Sequence, residues 1–85
     1  MNDKCKDLIE LSDFYILSQQ YDEAIKALKK AERLTKLDPK IYYNLGIAYE
    51  ALNEKHEARE AFRTALKLDP EFKSAQEHLY RLIEE

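Results

Sequence analysis

His56, His78 and Cys5 are the side chains here best suited to proton transfer, metal ligation or nucleophilic attack. Their spacing supports none of these. The two histidines do not stand at the i, i+4 separation that puts two ligands on one helix face. Cys5 has no second cysteine and no nearby histidine to lower its pKa, so it reads as a passive thiol at the start of a helix. A Gly-rich phosphate loop needs several glycines, and the chain has one, Gly46. The expectation is no catalytic residue, no metal site and no cofactor.

The charges point away from two other classes. Net charge is −3, from 14 Lys and Arg against 17 Asp and Glu. Nucleic-acid binding needs a basic surface, and attachment to anionic lipid needs the same. No apolar run approaches a membrane span, and the charged N-terminus does not read as a signal peptide. A single cysteine fits the reducing cytoplasm. Lys26, Lys29, Lys30, Arg33 and Lys36 form a basic run relieved by Glu23 and Glu32, which reads as a solvated helix face, the alternative being a docking strip for an acidic partner.

With chemistry set aside, the organisation of the chain carries the information. Shifted by 34 residues, the window from Cys5 to Asp38 matches the sequence at eight places. Lys6 falls on Lys40, Leu11 on Leu45, Tyr15 on Tyr49 and Glu23 on Glu57. Ala24 falls on Ala58, Ala27 on Ala61, Ala31 on Ala65 and Leu34 on Leu68. Leu28 meets Phe62 as a conservative pair. Most of these residues are apolar or small and stand at helical spacing, as framework positions of a structural repeat do. Five helices are expected, over about 4–18, 22–37, 39–52, 57–68 and 70–83. The tripeptide Leu-Asp-Pro occurs at 37–39 and 68–70, a separation of 31 rather than 34. An extra turn on the second helix, through Leu37, would reconcile the two spacings. Asp38 with Pro39, and Asp69 with Pro70, each read as an N-cap and first helical residue.

The run Tyr42-x2-Leu45-Gly46-x2-Tyr49, then Ala58-x3-Phe62, then Pro70, resembles the tetratricopeptide repeat family, with Tyr42 in place of the usual Trp. Leu8-x2-Leu11-Ser12-x2-Tyr15, then Ala24-x3-Leu28, is a weaker copy. The resemblance implies an all-α, right-handed superhelical stack of antiparallel helix hairpins over residues 1–85. Repeat 1 covers about 5–38, repeat 2 about 39–72, and a capping helix about 71–84. Leu11, Tyr15, Ala24 and Leu28 would form the framework of the first repeat. Tyr42, Leu45, Gly46, Tyr49, Ala58, Phe62, Ala65 and Pro70 would form that of the second. The resemblance explains Gly46: a missing side chain facing Ala58 or Ala61 lets two helices approach closely. It also implies a concave groove for a peptide or a partner's helix. Ile9, Asp13, Lys40, Tyr43, Asn44, Ile47, Glu50, His78 and Arg81 would line that groove. The Lys/Asn/Asn/Lys/Arg clamp with which some members hold acidic chaperone tails is matched only by Asn44. Ile9, Asp13, Ser74 and His78 stand at its other places.

Function is therefore expected to be protein–protein interaction rather than catalysis. Two hairpins make a short array, so the alternative is a self-associating or engineered scaffold unit. A homodimer of that kind would use end-facing residues such as Phe14, Tyr80 and Leu82.

Overall fold

The computed structural model describes residues 3–84, which form five helices. These are α1 (Asp3–Leu17), α2 (Tyr21–Leu34), α3 (Pro39–Ala51), α4 (Lys55–Leu68) and α5 (Lys73–Glu84). Short connections make α1–α2 and α3–α4 antiparallel hairpins. The second hairpin stacks on the first through α3, which touches both α1 and α2, and α5 closes the stack against α4. Leu28, Ile41, Phe62 and Leu82 are fully buried. Ala24, Ala31, Ala58, Ala65 and Ala75 are buried with no exposed surface at all and let the backbones approach around them.

The turn inside each hairpin is built twice in the same way. Gln19 and Asn53, 34 residues apart, adopt left-handed backbone with φ of 62° and 63°. The amide of Gln20 reaches the carbonyl of Tyr15 at 2.8 Å, and that of Glu54 reaches Tyr49 at 2.9 Å. These bonds satisfy carbonyls that each helix end would leave unpaired.

The Leu-Asp-Pro segments diverge from the sequence expectation. Helix α2 stops at Leu34, with Thr35 extended, and does not run through Leu37. Helix α4 stops at the matching Leu68. Both aspartates nucleate the same turn: Asp38 Oδ1 accepts from the amide of Lys40 at 3.0 Å, and Asp69 Oδ1 from Glu71 at 3.2 Å. At Pro39 that turn continues into α3. At Pro70 it remains a separate, exposed turn, and α5 begins three residues later at Lys73. The detached turn delivers Phe72 onto Tyr43, ring centroids 4.8 Å apart.

The framework residues are not equally buried. Ala24, Leu28, Tyr42, Leu45, Gly46, Ala58, Phe62 and Ala65 lie in the interior, while Tyr15 and Tyr49 are half-buried. Pro70 is exposed, so it serves the turn and not the packing. Gly46 meets an aromatic ring rather than an alanine. A Cβ built on it would lie 2.5 Å from Cε1 of Phe62, nearer than any real contact. Leu11 leaves the framework expected of it. It is 40% exposed, whereas its counterpart Leu45 is 3% exposed, because α2 covers the second hairpin and nothing among the described residues covers that side of the first. Leu82 is 2% exposed and faces the core rather than the end of the stack.

Candidate interaction groove

Helices α1 and α3 lie side by side and share a grooved face with two lobes. One, of about 690 Å³, lies between the start of α1 and the α2–α3 connection, over Cys5, Ile9 and Leu37. The other, of about 460 Å³, is lined by Ile16, Leu17, Tyr43 and Ile47. Asp13 and Lys40 border both lobes, and their side chains pair across the groove at 3.5 Å with more than two fifths of each exposed. An ion pair in that setting is weak and open to exchange.

The residues expected in the groove fall into three groups. Asp13, Lys40 and Ile47 line it and retain exposure. Ile9 and Asn44 do not offer themselves to a ligand. Ile9 is 7% exposed and packs in the core, because α3 lies across α1 where a periodicity argument sees only a helix surface. Asn44 is buried, and its Nδ2 donates to Ser12 Oγ at 3.0 Å and to Asp13 Oδ1 at 2.8 Å. Ser12 in turn donates to the carbonyl of Ile9 at 2.6 Å. Asn44 thus fastens α3 to α1 and orients Asp13.

The third group joins α3, α4 and α5. Tyr43 packs against Phe62, Phe72 and His78, while His78 stacks on Phe62 at 5.2 Å. His78 Nδ1 lies 3.0 Å from Glu50 Oε1 and 2.8 Å from the Arg81 guanidinium. Protonated, that nitrogen donates to Glu50; unprotonated, it accepts from Arg81. Tyr43, Glu50, His78 and Arg81 therefore hold α5 in place at one end of the face, and Tyr43 also presents part of its ring to the second lobe.

Two groove residues escape the sequence reading. Leu17 and Leu37 are 85% and 77% exposed and border the two lobes. Leu37 reads in sequence as the last turn of α2. Leu17 belongs to no stripe, and its place beside Ile16 at a helix end is the available signal. Cys5 is buried with its thiol toward the carbonyl of Ala31, and burial, helped by the charge of Asp38, pushes its pKa up. It is a protonated core residue at the floor of the first lobe.

Among the described residues no group of three His, Cys, Asp or Glu side chains could hold a metal ion. No helix there is long and apolar enough to cross a membrane.

Comparison with known proteins matches residues 13–53 to a family model described as "TPR repeat" and residues 39–72 to one described as "Tetratricopeptide repeat". The general transcriptional corepressor ssn6 of Schizosaccharomyces pombe is 32% identical over 69 residues. That stretch is 79% of this chain and 6% of the corepressor.

Proposed function

Because the chain belongs to the tetratricopeptide repeat family, we propose that it is a non-catalytic protein–protein interaction module holding a peptide or helix of a protein partner in its concave groove. Repeats of this family generally mediate protein–protein interaction. The observation that carries the finer reading is the two-lobed groove itself. Apolar surface from Ile16, Leu17, Ile47 and Leu37 stands open beside an exchangeable Asp13–Lys40 pair. Apolar anchors rimmed by polar groups suit specific recognition. A partner residue of either charge can replace one member of the pair.

The reading places the module in the cytoplasm, where a lone thiol stays reduced. It disfavours an acidic chaperone tail, since the amide of Asn44 is engaged internally and the Asp13 carboxylate would repel such a ligand. The likeness to a corepressor segment supports a protein partner without identifying one.

Selection of displayed peptides against the folded chain tests the proposal. Recovered peptides should bind with affinities in the micromolar range, about −8 kcal/mol, and weaken about tenfold or more against Ile47→Asp or Leu17→Ser. Binders indifferent to both substitutions would place recognition elsewhere and defeat the groove reading.

A further inference from the structure

The first hairpin carries an open apolar face, away from the groove. Leu8, Leu11, Tyr15 and Ile25 line a cavity of about 390 Å³ between α1 and α2. Shifted by 34 residues, the first three are Tyr42, Leu45 and Tyr49. In the second hairpin, α2 lies over that same surface. Tyr42 and Leu45 are thereby 8% and 3% exposed, and Tyr42 donates to Glu32 Oε2 at 3.0 Å. The molecule therefore contains its own example of what covers such a face, namely a helix with an acidic residue at its contact edge.

The rim of the uncovered copy is basic. Lys26, Lys29, Lys30 and Arg33 border the cavity, against one acid, Glu23. Lys26 pairs with Glu23 at 3.8 Å and Lys29 with Glu32 at 3.7 Å, while Lys30 and Arg33 have no carboxylate partner among the described residues. The matching positions on α4 are Glu60, Arg63, Thr64 and Lys67, so the basic rim belongs to the uncovered face alone. We infer that this face docks an acidic amphipathic helix of a partner protein, its apolar stripe on Leu8, Leu11, Tyr15 and Ile25 and its carboxylates on Lys26, Lys30 and Arg33.

A second copy of this chain fits less well. Two such faces brought together would set one basic rim against the other. Among the described residues of α5, Lys73 and Arg81 balance Glu77 and Glu84 around the exposed Tyr80 and Ile83.

The test uses a stapled helical peptide with the sequence of α2, Tyr21–Leu34, carrying Lys26→Glu, Lys29→Glu, Lys30→Glu and Arg33→Glu. The unmodified α2 sequence, stapled alike, is the control. Binding to the full chain is followed by fluorescence anisotropy and by amide chemical shifts. The acidic peptide should saturate, perturb Leu8, Leu11, Tyr15 and Ile25, and bind about tenfold or more weakly to Leu11→Ser or Arg33→Glu chains. Affinity should fall as salt rises from about 50 to about 500 mM. Four results would each overturn the inference. These are no saturation to about 1 mM, equal binding of the control, perturbation of Asp13 and Ile47 instead, or a dimer of the free chain that Leu11→Ser dissociates.

Discussion

At the scale of single residues, Gly46 and Tyr42 show how neighbours on one helix are held by different forces. Glycine inside a helix costs about 1 kcal/mol relative to alanine. At Gly46 that cost is offset by the ring of Phe62, which occupies the volume a Cβ would need. Phe62 is fully buried and stacked on His78, so the ring has nowhere to retreat. Gly46→Ala should destabilise the fold by about 1–3 kcal/mol in spite of its better helix propensity, read as a shift in the urea midpoint. In a Phe62→Leu background the same substitution should cost markedly less. Equal cost in both backgrounds would separate the glycine from the ring. Tyr42 is governed by electrostatics. Burial, then its bond to Glu32 and the charge of that carboxylate, push its pKa from 10.0 up to about 12. Between those values the unfolded chain releases the phenolic proton while the folded chain keeps it. Stability from this group is therefore complete below pH 10 and is lost as pH rises toward 12. The stability difference between wild type and Tyr42→Phe should shrink across that window. A difference flat with pH would show that the phenol titrates alike in both states.

At the scale of elements, the hairpin turns offer the clearest gain. Gln19 holds a left-handed conformation that costs a side-chain-bearing residue about 1–2 kcal/mol, and Asn tolerates it better. Gln19→Gly should stabilise the chain by about 0.5–1 kcal/mol, and Asn53→Gly by less. Thermal unfolding of the two variants checks the order, and a loss at Gln19 would mean that its exposed side chain supports the turn. These turns also mark what can be read in advance. The five helices and their order are visible because stripes such as Ala24, Leu28 and Ala31, or Ala58, Phe62 and Ala65, repeat at helical spacing. The end of α2 and the start of α5 are not. Leu-Asp-Pro makes the same local turn at both places, and only the 34-residue stacking decides whether a helix follows at once. The groove is half visible for a related reason. Spacing tells which residues share a side of α3, but not that α3 covers Ile9 or that Ser12 and Asp13 of α1 take the amide of Asn44. Leu17 and Leu37 escape because their exposure depends on where a helix stops.

At the scale of the whole molecule, the five helices are unequal in what protects them. Helix α3 touches α1, α2 and α4, and the ring cluster of Tyr43, Phe72 and His78 ties it to α5. Helix α1 is covered on one side by α2 and α3 and leaves Leu11, Phe14 and Leu17 exposed. In a stack where each unit rests on its neighbours, the ends open before the middle. Native-state hydrogen exchange should therefore show slowest exchange in α3 and α4, with α1 opening at a free energy below that of global unfolding. The Asn44 bonds to Ser12 and Asp13 are a buried polar tie that opposes this opening, beside the exposed Asp13–Lys40 pair. Asn44→Ala removes both bonds, one of them to a carboxylate, while Ser12 keeps its bond to Ile9 and Asp13 its pair with Lys40, a loss of about 1–3 kcal/mol. It should lower the protection of α1 more than that of α4. If α1 and α4 lose protection equally, the two hairpins unfold as one unit, and the uncovered face of α1 has no separate mobility for a docking helix to suppress. If α1 alone is loosened, a helix bound over Leu8, Leu11 and Tyr15 should restore its protection without touching that of α4.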